Sequence, residues 1–304
     1  MGHLGRCKRY CRRTAAALIA TSSVFLVSGA VAPASGDYPV IYNFPAGVAA
    51  TETGQPLQGA NDWTCRPSAA HPRPVVLVPG LSGNSGRDYQ AAAPLLANNG
   101  YCVFAYDFSD RGFESNVTAA EDLSGFVDRV LAATGATDVD LVGHSQGGMM
   151  PRYYLEFLGG AAKVQALVGI SPVNHGTTLF GVATLVQQTP PADSAVSERC
   201  PACSEDAAGS DFMHKLNDGG DTVPGVRYTV IGTRYEEIIT PDESQFLAGR
   251  RVTNILLQDQ CGTDAVDHLA SSYDSVALHD VLNALDPAHA TPPRCTVVLP
   301  GVGG

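Results

Sequence analysis

The sequence predicts an α/β fold with a mostly parallel central sheet and helices on both faces. From residue 75 onward, short apolar runs rich in β-branched residues alternate with longer stretches of helical spacing, two of which end at a glycine. This alternation is typical of parallel strands joined by covering helices. The chain has 304 residues, 44% of them hydrophobic, which is enough for one large core or two small domains.

The elements are predicted in chain order from these runs. Strands are predicted at residues 75–78, 101–108, 139–143, 164–171, 226–232 and 252–258. Helices are predicted at residues 89–100, 119–135, 146–160 and 271–285. Residues 181–224 interrupt the alternation and are rich in Pro, Ser, Ala, Asp and Gly. We expect this insertion to be either a lid over the active-site end of the sheet or a surface excursion.

Residues 1–34 have the pattern of a secretory signal. A basic stretch, MGHLGRCKRYCRR, precedes an apolar one that Thr and Ser interrupt, and AVAPAS then offers small residues for cleavage. A membrane anchor is the alternative, but the apolar run is short and no stop-transfer charges follow it. We therefore expect the signal to be cleaved and residues 35–304 to form a single secreted, extracellular domain without an integral membrane anchor.

The charge of the remaining chain narrows the classes of partner. The first 34 residues hold five of the 19 basic residues and none of the 30 acidic ones, so the rest carries a formal net charge of −16. Such a negative surface disfavours nucleic acid and anionic membranes as partners.

Cysteine usage also fits export. Two of the eight cysteines lie in the signal, and six remain: Cys65, Cys102, Cys200, Cys203, Cys261 and Cys295. An even number in an exported chain indicates three disulfides, and order along the chain suggests Cys65–Cys102, Cys200–Cys203 and Cys261–Cys295, although sequence leaves other pairings open. CPAC at 200–203 is a weak redox candidate, and no second pair is spaced for zinc.

The sequence VDLVGHSQGG places a G-x-S-x-G motif, residues 143–147, between a predicted strand and a predicted helix. In that context the serine occupies a tight turn at the carboxyl end of the strand, as in the nucleophile elbow of α/β-hydrolases. A glycine-rich turn with an incidental serine is the alternative. We predict Ser145 as a nucleophile and expect His144 to pack or hydrogen-bond behind the elbow.

Two backbone N–H groups are candidates for an oxyanion hole. One belongs to Gln146, which follows the serine, and the other to Leu81, in the loop after the first predicted strand. Pro79 has no N–H to offer, so it only shapes that loop.

A base and an acid should follow the serine, the acid first. Of the later histidines, His268 lies on a loop between the last predicted strand and the last helix, where the base is expected; the others are His175, His214, His279 and His289. The segment TRYEEIITPDES falls between serine and base, and it carries four carboxylates: Glu236, Glu237, Asp242 and Glu243. One of them should be the acid.

Residues 72–295 resemble the secreted class 2 lipases of bacteria, within the α/β-hydrolase superfamily, and the actinobacterial branch in particular. The resemblance rests on GYCVFAYDF, VDLVGHSQGGMMPRYYLEFLGG, SPVNHGTTL, PGVRYTVIGTRYEEIITP, VTNILLQDQC and DHLASSYD. It implies an α/β-hydrolase fold, with Ser145 as nucleophile, His268 as base and Glu236 as acid, where relatives usually carry Asp. Asp242 is the fallback acid. Glu237 is expected to point elsewhere and Glu243 to be solvated.

The resemblance implies a carboxylic ester hydrolase of the triacylglycerol lipase type, acting on a lipid or another ester. We expect a monomer that needs no cofactor and no metal. Three alternatives stay open: a hydrolase of polyesters such as cutin, suberin or synthetic plastics, an acyltransferase on the same site, and a catalytically inactive binding protein.

Overall fold

A computed structural model describes residues 38–304 and contains the predicted parallel sheet. Its strands are β1 (Val75–Val78), β2 (Val103–Ala105), β3 (Val139–His144), β4 (Val164–Ile170), β5 (Arg227–Gly232) and β6 (Val252–Leu256). They are arranged in the order β2-β1-β3-β4-β5-β6, and each neighbouring pair is parallel. The predicted α/β class is confirmed. The predicted signal, residues 1–34, lies outside the described residues.

Among the described residues, one α-helix precedes the first strand, and the others lie between the strands or after the last one. They are α1 (Phe44–Glu52), α2 (Ser85–Tyr89), α3 (Ala92–Asn98), α4 (Asn116–Thr134), α5 (Gln146–Met149), α6 (Pro151–Phe157), α7 (Val182–Gln187), α8 (Pro190–Arg199), α9 (Pro201–Glu205), α10 (Asp211–Asn217), α11 (Leu257–Gln260) and α12 (Ser275–Leu285). In the part of the chain that the structure describes, no helix is both long and apolar enough to cross a membrane.

The sheet is covered on both faces because its side chains alternate between two hydrophobic clusters. Val76 and Val78 of β1 pack in a cluster with residues of α4, α6 and α10. Val75 and Leu77 pack in the other cluster, with residues of α3 and α12. Successive side chains of a strand point to opposite faces, so a strand buried on both sides is apolar throughout, as the VVLV sequence of β1 is.

Several predicted elements are shorter or divided in the structure; the predicted strand 252–258, for example, ends at Leu256, and residues 257–258 belong to α11. The predicted helix 146–160 is divided into α5 and α6 at Pro151, which has no N–H to continue the hydrogen-bond ladder and begins the second helix instead. The predicted strand 101–108 pairs only over β2, and beyond it Asp107 accepts hydrogen bonds from the N–H and hydroxyl of Ser85, at the start of α2.

The insertion 181–224 consists of two different halves. Helices α7 and α8 have no buried residue, and Phe180 and Leu185 are 77% and 64% exposed. Helices α9 and α10 are instead docked, since Ala202 and Leu216 are fully buried. The first half is therefore the exposed part of the insertion, whereas the second half packs into the body of the fold.

Three disulfide bonds join Cys65 to Cys102, Cys200 to Cys203 and Cys261 to Cys295, the pairs that chain order suggests. The first and third close loops with sequence separations of 37 and 34 residues. In the chain-entropy model, a bond that closes a loop of that length reduces the conformational entropy of the unfolded chain. Each of these two bonds therefore stabilises the fold by about 4 kcal/mol. The third bond also attaches the segment before His268 to the C-terminal tail.

Candidate active site

Ser145 occupies the sharp turn between β3 and α5, with φ 55° and ψ −123°. Both glycines of the motif are required by close backbone approaches. A Cβ at Gly143 would lie 1.8 Å from the carbonyl oxygen of Gly147, and one at Gly147 would lie 2.1 Å from that of Val78. The serine is thus held in the sparsely populated positive-φ region by the packing of its neighbours, as expected at a functional turn.

His268 lies beside the serine. Its Nε2 is 2.9 Å from Ser145 Oγ, and the two side chains are joined across 123 positions of sequence. His268 stands on the loop between α11 and α12, and it is only 4% exposed. This loop position is the one that chain order predicted for the base.

Glu236 lies on the other side of the imidazole. Its Oε1 is 2.8 Å from His268 Nδ1 and also accepts hydrogen bonds from the N–H groups of Ile238 and Ile239, each at 3.0 Å. The Nδ1–Oε1 contact is short but is not aligned as a hydrogen bond, and Oε2 has no partner among residues 38–304. Hydrogen bonds between catalytic groups are often misaligned without substrate and tighten in the complex.

The remaining three carboxylates of the acidic segment are not seen to contact the His268 ring. Asp242 stands in the 3₁₀ turn Asp242–Gln245, where partial burial and then the adjacent Glu243 raise its pKa. The Glu243 side chain is exposed, as expected. Glu237 was expected to point elsewhere, but it contacts His268: its Oε2 accepts a hydrogen bond from the backbone N–H of His268 at 3.0 Å. No pattern in the sequence distinguishes this contact, which anchors the His268 loop.

His144 anchors the same loop from behind the elbow. Its Nε2 lies 2.9 Å from the carbonyl oxygen of His268, and because a carbonyl only accepts, that nitrogen carries the proton. Burial lowers the pKa of His144 to about 3, so the ring is neutral at physiological pH. The hydroxyl of Ser271 donates to the same carbonyl at 2.8 Å. His268 is therefore fixed through its backbone on both sides.

The loop after β1 lies against the serine. A Cβ at Gly80 would be 3.2 Å from Ser145 Cβ, and the N–H of Gly80 donates to Asp88 Oδ2 at 2.8 Å. Asp88 is buried, and that burial raises its pKa to about 6. Within residues 38–304 the N–H groups of Leu81 and Gln146 donate to no protein acceptor.

Across residues 38–304, no group of three or more His, Cys, Asp or Glu residues is arranged to hold a metal ion. What the site does bring together is a serine hydroxyl, an imidazole and a carboxylate in series, an arrangement suited to covalent catalysis.

Comparison with solved structures shows the same fold. Aspergillus fumigatus lipase B superimposes with a TM-score of 0.55 and 20% sequence identity, over 75% of this chain and 57% of that one. The mature Bacillus licheniformis lipase BlEst2 superimposes with a TM-score of 0.56 and 18% identity, over 76% of this chain and 96% of that one. At these identities the likeness concerns the fold, which is that of the α/β-hydrolases.

Comparison with sequences shows the family. A triacylglycerol lipase of Burkholderia plantarii is 38% identical over 115 residues, 32% of each chain, and one of Pseudarthrobacter phenanthrenivorans is 41% identical over 93 residues, 28% of each. The chain thus matches less than a third of the length of these two relatives. Residues 72–278 match the family described as Lipase (class 2). The chain belongs to the class 2 lipase family, as its sequence motifs predicted.

Proposed function

We propose that this protein is a secreted serine hydrolase of carboxylic esters, of the triacylglycerol lipase type. The observation that carries the proposal is the continuous series from Ser145 Oγ through the His268 imidazole to Glu236, with contacts of 2.9 and 2.8 Å. Membership of the class 2 lipase family supports the same activity. The triacylglycerol lipases that it resembles give acylglycerols as the substrate class.

In the proposed first step, Ser145 Oγ attacks the ester carbonyl while His268 Nε2 takes its proton. Glu236 faces Nδ1, so it keeps the proton on that nitrogen in the resting enzyme and stabilises the imidazolium that forms. The buried surroundings of the pair strengthen this interaction because water does not screen it. His268 then protonates the leaving alcohol, and an acyl-enzyme remains on Ser145.

The negative oxygen of the tetrahedral intermediate is assigned to the N–H groups of Leu81 and Gln146. Both belong to backbone that packing fixes before the substrate arrives, which is the condition for efficient electrostatic stabilisation. Each such donor typically lowers the barrier by about 3 kcal/mol. Water activated by His268 then hydrolyses the acyl-enzyme and restores the serine.

Export is proposed from the first 34 residues together with the three disulfides. The basic and apolar segments fit a cleaved secretory signal. Disulfides persist in oxidising compartments, so their number supports an extracellular location.

The exposed half of the insertion is proposed to cover the ester site and to meet the lipid. Phe180, Val182 and Leu185 are exposed at 77%, 58% and 64%, which is unusual for large apolar side chains in water. Leu269 and Tyr235, which flank the base and the acid in sequence, are also exposed. These residues give the region around the site an apolar surface suited to acyl chains.

The direct test is hydrolysis by wild-type protein and by Ser145→Ala. Wild type should release acid from emulsified tributyrin and p-nitrophenol from p-nitrophenyl butyrate, and the variant should do neither while keeping the wild-type circular dichroism spectrum. A variant that keeps near wild-type hydrolysis would show that the serine is not the nucleophile. A series of esters with increasing acyl length, beside a polyester film, separates a lipase from a hydrolase of polymers.

A further inference from the structure

A series of buried, hydrogen-bonded polar side chains extends from the turn that carries Ser145 into the insertion 181–224. Gln146 Nε2 donates to Asn116 Oδ1 at 2.9 Å, and Asn116 Nδ2 donates to Asp206 Oδ1 at 2.9 Å. The three side chains are 0%, 0% and 7% exposed. In such a dry environment each hydrogen bond is strong, and an unpaired group is costly, so the three side chains fix one another.

The first link restrains the residue that follows the nucleophile. Gln146 Nε2 also donates to the carbonyl oxygen of Gly112 at 3.0 Å. Gly112 has φ 82°, and a Cβ there would lie 2.5 Å from Gln146 Oε1, so the amide occupies space that only a glycine leaves free. Because Gln146 is the first residue of α5, holding its side chain also holds the direction of its backbone N–H.

The Asp206 end of this hydrogen-bonded series is held by further hydrogen bonds. Glu205, which precedes Asp206, accepts the hydroxyl of Ser115 and the N–H of Asn116, each at 2.6 Å, and so caps the start of α4. The backbone carbonyl of Asp206 accepts the N–H of Thr177 at 2.9 Å.

Thr177 extends the connection to the segment that carries the acid. Its hydroxyl donates to the carbonyl oxygen of Ile238 at 2.6 Å and accepts the N–H of Thr240 at 3.0 Å. Ile238 is one of the residues whose N–H groups hold Glu236. Asp206 is therefore connected by hydrogen bonds both to Gln146, through Asn116, and to the segment that carries Glu236, through Thr177.

A buried carboxyl group at this point is expensive for stability alone. Burial raises the pKa of Asp206 to about 7, and the neighbouring Glu205 charge adds to the rise.

We propose that Asp206 and Asn116 are positioning residues for the oxyanion hole. Asp206, on the docked half of the insertion, holds Asn116, and Asn116 holds Gln146 so that its N–H points at the developing oxyanion. The inference rests on the proposed ester hydrolase function and adds a role for the insertion that is separate from covering the substrate.

The first test compares Asp206→Ala with Asp206→Asn in the full chain. Asp206→Ala removes the acceptor for the Asn116 amide and should lower kcat for p-nitrophenyl butyrate by about 10- to 100-fold, with KM changed less than about twofold. The amide that Asp206→Asn introduces can still accept from Asn116, so this variant should restore most of the rate. Asp211→Ala, at an exposed position of the same insertion, is the matched control and should behave as wild type.

The second test reverses the direction of one hydrogen bond and does not create a cavity. Asn116→Asp removes the N–H donor that Asp206 accepts, so two carboxyl groups face each other, and kcat should fall about tenfold at alkaline pH, where no proton is left for the pair to share. Adding Asp206→Asn restores a donor opposite the new carboxylate, so the double variant should regain the rate. The inference would be overturned if Asp206→Ala or Asn116→Asp left kcat unchanged. It would also be overturned if Asp206→Asn did not keep most of the rate in the first test, or did not restore it in the double variant of the second.

Failure of this inference is distinguishable from failure of the proposed function. If wild type neither hydrolyses esters nor reacts with an organophosphonate at Ser145, both are wrong. If wild type does react and Asp206→Ala reacts at the same rate, only the positioning role is refuted.

Discussion

Replacing Glu236 by Gln tests the acid of the proposed triad with little change of shape. The amide oxygen can occupy the place of Oε1 and keep the two backbone hydrogen bonds from Ile238 and Ile239. The variant therefore loses the negative charge beside His268 but keeps the contacts that hold the segment. Any fall in rate then reports the interaction of that charge with the imidazolium.

The size of the effect follows from the distance. A full charge 2.8 Å from Nδ1 interacts with the imidazolium by about 6 kcal/mol at an effective dielectric constant of about 20. The amide dipole retains part of this, so we expect a barrier higher by about 4–5 kcal/mol, which corresponds to a 10³- to 10⁴-fold lower kcat. Loss of the acid in a related serine triad has an effect of that order.

The assay is kcat for p-nitrophenyl butyrate, with the circular dichroism spectrum as the measure of folding. Asp242→Asn is the matched control, because it removes a carboxylate from the same segment without touching His268. A rate in Glu236→Gln within tenfold of wild type, or a larger loss in Asp242→Asn, would refute the assignment and move the acid to Asp242.

Three further perturbations have defined outcomes. Asp274 caps α12, and burial followed by the charge of Asp264 raises its pKa to about 8. Because this pKa is higher in the folded protein than in the unfolded chain, the protonated acid stabilises the fold at pH values below the unfolded pKa. This stabilisation is lost as the pH rises through 8. Asp274→Asn should therefore raise Tm near pH 9 more than near pH 5, and an equal change at both pH values would contradict this sign. Phe180→Ser with Leu185→Ser should reduce the rate on emulsified triglyceride more than the rate on a soluble acetate ester, and equal reduction would argue against contact with lipid. Reducing the Cys261–Cys295 bond should lower activity before it unfolds the core, and simultaneous loss of both would show that the His268 loop is not its main target.

The parts of the site that depend on local chain geometry were predictable from the sequence. Ser145 could be located because a serine between close-packed glycines, after an apolar strand, fits only a tight strand–helix turn. His268 could be located because the topology fixes the order of the loops. The parallel sheet followed from the alternation of strands and helices, since each apolar run is short and each connection is long.

The parts that depend on contacts across the chain were not predictable. Glu236 and Glu237 are adjacent and chemically identical, so residue chemistry alone did not choose between them, and Glu236 was selected only through the family resemblance. The fold directs Glu236 to the His268 ring and Glu237 to the His268 backbone N–H. Within the insertion 181–224, the charged Asp206 is buried against Asn116 while the apolar Leu185 is exposed. Burial of this kind is decided by tertiary packing and leaves no periodic pattern in the sequence.

The central claim is that Ser145 is the nucleophile, and covalent labelling tests it most directly. Wild-type protein should react with a p-nitrophenyl alkylphosphonate, release one equivalent of p-nitrophenol and lose esterase activity in proportion. Mass spectrometry of the digested protein should place the phosphonyl group on the peptide that contains Ser145, and Ser145→Ala should take up none. Labelling of another residue, or stoichiometric labelling of the alanine variant, would contradict the proposed mechanism.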